Sequence, residues 1–127
     1  MPLLYKPAAE GYEVKQQAIP SPGNNSFLGD IFTTPDVPVD QKISSGFYTQ
    51  YVGEPLVYTY TYDEAKVNLF VSEGAEFYVS DGTTKVQVKP HDVLHFTKGT
   101  TITFEVIGPE GSYAKNFFVG LRDKDAV

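Results

Sequence analysis

The chain has no cysteine, no tryptophan, one methionine and only two histidines among its 127 residues. Without cysteine there is no disulfide, no thiolate nucleophile and no thiolate-held zinc. His91 and His95 are too few for any site that needs three imidazoles. Basic residues are also scarce. Ten Lys and Arg stand against sixteen Asp and Glu, for a net charge of −6, and no basic cluster tracks a phosphate backbone. Nucleic acid is not an expected partner. No run approaches the ~18 apolar residues of a spanning helix, and MPLLYKPAAEGYEV lacks the charged-then-apolar order of a secretion leader. The expectation is a soluble, cytoplasmic protein with no membrane association. Neither a Gly-x-x-x-x-Gly-Lys-Ser/Thr loop nor a Gly-x-Ser-x-Gly elbow is present, so phosphate-loop and serine-hydrolase chemistry have no support.

What the sequence does contain is aromatic. Nine Tyr and nine Phe within a 41% hydrophobic composition place much of the apolar surface in residues that suit a pleated sheet. The length is that of one domain able to bury a core unaided. Residues 1–26 are rich in Pro, Gly, Asn and Ser, as in Pro20-Ser21-Pro22-Gly23-Asn24-Asn25-Ser26, and read as an irregular arm with room for one short strand. Residues 27–122 read as the folded domain, with Phe27–Phe32 as its first strand. From Gly46 to Val119, turn signals at Gly53-Glu54-Pro55, Glu73-Gly74, Ser80-Asp81-Gly82, Lys89-Pro90, Lys98-Gly99 and Gly108-Pro109 recur at a spacing of about 8–12 residues, the rhythm of an antiparallel sandwich or barrel. Asp81-Gly82 predicts a tight type I′ hairpin. Residues 123–127 close the chain as a charged tail, and the run Arg122-Asp123-Lys124-Asp125 is expected to be solvated.

The stretch Lys89-Pro90-His91-Asp92-Val93 through Lys98-Gly99-Thr100-Thr101-Ile102 resembles the second sequence motif of the cupins, and Tyr60-Thr61-Tyr62-Asp63-Glu64 with Glu73-Gly74 resembles a divergent first motif. With Gly46-Phe47-Tyr48, these segments are similar to the small single-domain cupins related to the ethanolamine-utilization cupin, particularly the fungal branch. The resemblance implies an all-β fold: one cupin-type antiparallel β-barrel, or jelly roll, preceded by the arm. It departs from the family in having His91 where a Gly is usual, Thr97 where a Pro is usual, and a longer span between Glu64 and Gly74. The family's metal-binding members use three histidines and a glutamate. Here the second-motif histidine position is Ile102, so no metal and no other cofactor is expected.

Alternation in a strand puts Tyr58, Tyr60, Tyr62 and Glu64 on one face and Val57, Thr59, Thr61 and Asp63 on the other. By resemblance, the glutamate face is the inner one. Lys66 and Asn68 follow on it if the strand runs unbroken. The same counting turns Ile102, Phe104 and Val106 inward as an apolar wall opposite a polar one, the usual composition of a small-molecule site. Glu64 is a candidate general acid or base, with Tyr62 and His95 as candidate catalytic partners, the imidazole being suited to proton transfer near neutral pH. Tyr48, Tyr58, Tyr60, Lys66, Ile102, Phe104 and Val106 are candidate substrate contacts. Each also has a structural reading: tyrosines alternating on a strand are ordinary β packing, Glu64 could be an inward carboxylate satisfied by a hydroxyl or by Lys66, and His95 could be a satisfied core or rim residue. His91, at a turn, is expected to be exposed and inert.

Three functions fit these residues: a metal-independent isomerase, cyclase or lyase acting on a small organic molecule; a non-catalytic cupin that binds a carbohydrate or metabolite; and a metal-dependent enzyme with a non-standard site. A homodimer is expected, with the arm available for exchange between protomers.

Overall fold

Strands dominate from the point where the proline- and glycine-rich arm ends. The structure is a computed structural model that describes residues 3–126. In chain order the elements are α1 (Ala8–Gly11), β1 (Gln17–Ala18), β2 (Ser26–Thr33), a 3₁₀ turn (Val39–Gln41), β3 (Ser44–Tyr51), β4 (Leu56–Thr59), β5 (Glu64–Val71), β6 (Glu76–Ser80), β7 (Lys85–Val88), β8 (Val93–Phe96), β9 (Thr101–Ile107) and β10 (Tyr113–Gly120). They form a six-stranded sheet in the order β1-β2-β3-β10-β5-β8 and a four-stranded sheet in the order β4-β9-β6-β7, with antiparallel pairing throughout. Among the described residues no helix is long and apolar enough to cross a membrane.

The two sheets bury different chemistry. The four-stranded sheet contributes Leu56, Phe77, Val79, Val88, Ile102, Phe104 and Val106 to the core. The six-stranded sheet turns Ser26, Tyr48, Gln50, Glu64, Lys66, Asn68 and Asn116 toward them, interspersed with Leu28, Phe96, Ala114 and Phe118, all buried. An apolar wall therefore faces a polar one, as the alternation predicts.

Three expectations are corrected. The β6–β7 connection is a four-residue loop, not a two-residue type I′ turn. Gly82 alone takes a positive φ, and Asp81 acts through its side chain, whose Oδ1 accepts from the N–H groups of Thr83 and Thr84. Arg122, at the head of the charged run, is not solvated: it is 2% exposed and its guanidinium meets Asp30, while Lys124 and Asp125 are exposed as expected. Finally, the stretch from Tyr58 to Glu64 is not one strand. β4 belongs to one sheet and β5 to the other, and Tyr60–Asp63 cross between them.

That crossing keeps its alternation because neighbours fix it. Tyr60 N–H donates to Thr100 O, Gly99 N–H to Tyr60 O, and Leu121 N–H to Asp63 O. The outward Asp63 carboxylate accepts from Lys98 N–H at 2.7 Å. Tyr60, Tyr62, Glu64, Lys66 and Asn68 are consequently all buried, while Thr59, Thr61 and Asp63 are exposed.

Candidate functional site

Where the crossing delivers its inward side chains, a small cavity opens, bounded by Ile19, Leu28, Tyr48, Leu56, Tyr58, Tyr60, Tyr62, Glu64, Lys66 and Phe104. Its volume is about 20 Å³, room for roughly one water. At its base Lys66 Nζ lies 2.5 Å from Glu64 Oε1, and the Tyr60 hydroxyl donates to that same oxygen at 2.7 Å. Each residue of the ion pair is 3% exposed. The lysine is caged by rings, with Nζ 4.6 Å from the centre of Tyr48 and 5.4 Å from that of Phe118, a favourable cation–π setting. A desolvated ion pair seldom stabilises a fold more than an apolar pair of the same shape would.

Both partners of Glu64 use Oε1, and no hydrogen bond among the described residues engages Oε2. Above it, the hydroxyls of Tyr58 and Tyr62 lie 3.0 Å apart. The Tyr60 ring stacks on Phe96 at 5.0 Å. Tyr48 donates to Gln50 Oε1 at 2.5 Å, and Ser26 donates to the same atom, which fixes the amide orientation.

Burial, and secondarily the negative charge of Glu64, push the Tyr48, Tyr60 and Tyr62 hydroxyls well above the ordinary tyrosine range. Tyr60 is held up further by donating to the carboxylate. Burial also raises Tyr58, partly offset by its bond to Tyr62. Lys66 is lowered by burial, with the neighbouring carboxylate opposing that shift. The tyrosines are thus neutral hydrogen-bond donors across the physiological range.

Of the residues singled out by sequence, Tyr48, Tyr58, Tyr60, Tyr62, Glu64, Lys66 and Phe104 share this cavity. Ile102 and Val106 do not reach it; they are buried in the core on the same inner face of β9. His95 is corrected outright. It lies opposite Ala65 on β8 and is exposed, because Leu94 and Phe96 take the inner positions of that strand. His91 is exposed at its turn with φ 77°, the backbone conformation that explains the glycine usual at that motif position. Sequence reasoning missed Ile19, Leu28 and Leu56 in the wall. It also missed Arg122, whose guanidinium carbon lies 5.8 Å from the Tyr62 ring centre and 5.0 Å from that of Phe118. The separation of Arg122 from Asp30 hid this contact; no local pattern signals it.

The donor set does not suit a transition metal. Among the described residues no three His, Cys, Asp or Glu side chains converge, and the cavity offers one carboxylate, already paired, with tyrosines and a lysine. Zinc and iron sites need more imidazole or carboxylate than this.

The architecture is that of a cupin: a single antiparallel β-barrel with a pocket between polar and apolar walls. Within that class the chain resembles the ethanolamine-utilization type. It is 26% identical to the ethanolamine utilization protein Q of Salmonella typhimurium over 75% of this chain and 68% of that one, with a TM-score of 0.54. Against the Clostridium difficile EutQ protein the values are 19% identity, 79% and 64% coverage, and a TM-score of 0.55. This chain thus spans about two thirds of the length of those two proteins. A cupin-2 domain protein of Rhodospirillum rubrum superimposes over 99% of this chain and 78% of its own, with 11% identity and a TM-score of 0.64. No protein-family model matches the chain, and a search of curated proteins finds no match.

Proposed function

We propose that the pocket is the acid–base centre of a small-molecule enzyme of the isomerase, cyclase or lyase type. The observation that carries this reading is the state of Glu64: a buried carboxylate in the cavity wall with one oxygen doubly engaged by Lys66 and Tyr60 and the other without a hydrogen bond among the described residues. In this reading Oε2 takes a proton from a substrate carbon or hydroxyl and returns it elsewhere on the molecule, so an isomerisation balances without a co-reactant. One of the paired hydroxyls of Tyr58 and Tyr62 donates to the other, and the remaining neutral O–H supplies a hydrogen bond to a developing oxyanion. Because its acidity is suppressed, it stabilises that charge without giving up a proton. Lys66 cancels the charge of Glu64, so the fitting substrate is uncharged, with an apolar or aromatic body to pack on the rings and one acidic C–H or O–H.

Native mass spectrometry of freshly purified protein identifies any retained molecule. Incubating that compound in D₂O with the wild type and with Glu64→Gln should show carbon-bound deuterium only with the wild type. Exchange at the wild-type rate in Glu64→Gln would remove Glu64 from the mechanism. The second reading, a binding cupin without turnover, is favoured by the ring-lined wall. It predicts saturable binding, weakened by Tyr60→Ala or Tyr62→Ala, with no deuterium exchange.

The partner we propose is a second copy of this chain, docked on the outer face of the six-stranded sheet. Phe117, Val67 and Val93 align across three strands by register, while Phe47 at the next position is already covered by Tyr12 of the arm. Phe70 and Val93 are 44% and 73% exposed, and Tyr113 packs against Phe70 and Tyr51. No carboxylate occupies the outward positions of β3, β10, β5 or β8, although the chain carries sixteen acidic residues. Away from the edge where Glu13 of the arm lies beside Thr49 and Lys115, two copies with like net charge can meet there without opposing carboxylates.

A further inference from the structure

We propose that the segment Gln17–Ile19 is a displaceable gate over the pocket, and that Ile19 is the residue that sets which ligands enter. The inference rests on the reading of the pocket as a small-molecule site. A cavity of about 20 Å³ cannot hold an organic substrate, since such sites run to roughly 300 Å³ or more. One wall must therefore move. Leu28, Tyr48, Leu56, Tyr58, Glu64, Lys66 and Phe104 sit on strands paired over four to eight residues, and Tyr60 and Tyr62 lie in the crossing, whose backbone is bonded to Thr100, Gly99 and Leu121. Ile19 is different. It follows a strand of two residues that pairs only with β2, and it is held by one further ladder bond, from its N–H to Ser26 O at 2.8 Å. Yet its side chain is 6% exposed and part of the core cluster. An element with so few ladder bonds is the one expected to open first.

Both flanks are anchored, which makes the segment a strap rather than a loose end. On one side Tyr12 packs on Phe47 at 4.8 Å, with Gly11 against the same ring. On the other, the Asn25 side chain donates to Tyr51 O and Glu54 O. Between Ile19 and Asn25 lie Pro20, Pro22, Gly23 and Asn24, the last at φ 50°. This short irregular stretch can absorb the backbone change while Asn25 stays docked.

The absence of cysteine permits a direct test. Leu56→Cys places a single thiol in the pocket wall, and Val79→Cys places one in the core beyond the cavity. Alkylation by iodoacetamide is then timed in each variant, with and without Ile19→Ala. The expected result is acceleration of roughly tenfold or more for the pocket-wall thiol, with the core thiol unchanged. An unchanged rate for the pocket-wall thiol would overturn the gate. Equal acceleration of both thiols would overturn it too, because opening would then be global. Labelling needs no substrate, so a gate that opens over a pocket without turnover retires only the catalytic reading, and a pocket-wall rate indifferent to Ile19 retires only the gate.

Discussion

Arg122 grips Asp30 from 92 residues away, with Nη2 at 2.6 Å from Oδ1 and Nη1 at 3.2 Å from Oδ2. The contact ties the end of the chain to β2 and supports Tyr62 from behind. Both side chains are buried, so removing one charge strands the other. Arg122→Met should destabilise the protein by about 3–5 kcal/mol, read from urea unfolding. The double variant Arg122→Met/Asp30→Asn should recover part of that loss; full additivity of the two single effects would mean that the pair is not coupled.

The Glu64–Lys66 pair should behave similarly in stability but not in chemistry. Lys66→Met leaves an unpaired carboxylate among aromatic rings and should cost about 3–5 kcal/mol. Glu64→Gln/Lys66→Met should regain much of it in denaturant titrations, while deuterium exchange into a bound compound stays abolished. Restored exchange in the double variant would contradict the proposed role of Glu64.

Alkaline pH should unfold the protein through its tyrosines. Tyr48, Tyr60 and Tyr62 are raised above the ordinary value of 10.0, so above that pH the unfolded chain releases protons that the folded chain retains. Their stabilising contribution is complete below pH 10.0 and is lost as pH climbs from there toward the folded values. Lys66 works the other way. Lowered from 10.5, it favours folding increasingly as pH approaches that value and adds nothing beyond. Three tyrosines outweigh one lysine, so the urea midpoint should fall above about pH 10.5, and absorbance at the phenolate band should show these tyrosines ionising only on unfolding.

His91 occupies a left-handed turn at φ 77° and is exposed. A glycine there avoids the Cβ clash, though it adds entropy to the unfolded chain. His91→Gly should stabilise by up to about 1 kcal/mol, seen as a higher urea midpoint with an unchanged slope.

Self-association through the six-stranded sheet is open to a charge test. Phe70→Glu and Val93→Glu introduce carboxylates at exposed outward positions, where the folded monomer tolerates them. Light scattering after size exclusion should report a dimer for the wild type and a monomer for the pair of substitutions. A wild-type monomer at tens of micromolar, or a dimer insensitive to both changes, would retire this face as the interface.

Much of the site was legible because a strand has a period of two and that period is local. The inward set Tyr58, Tyr60, Tyr62, Glu64, Lys66 and Asn68 follows from counting, and it survives the passage from β4 to β5 because the crossing residues are pinned on both sides. Ile102 and Val106 were given the right face but the wrong depth. Alternation orients a side chain without saying how far along the barrel it lies. His95 shows the limit of treating a chemically suggestive residue apart from its neighbours, since Leu94 and Phe96 already marked the other face as the inner one.

By itself the sequence determined the barrel class, through strand-and-turn rhythm and motif resemblance, and it determined that three histidines cannot be assembled from two. Only the tertiary structure decided that Arg122 is buried rather than solvated, that Glu64 spends one oxygen on both Lys66 and Tyr60, and that Ile19 lines the pocket. Each of those facts depends on which distant segments meet, or on where a side chain's free atoms point after packing. Neither is encoded in a window of neighbouring residues, because pairing between sheets is set by the free energy of the whole chain.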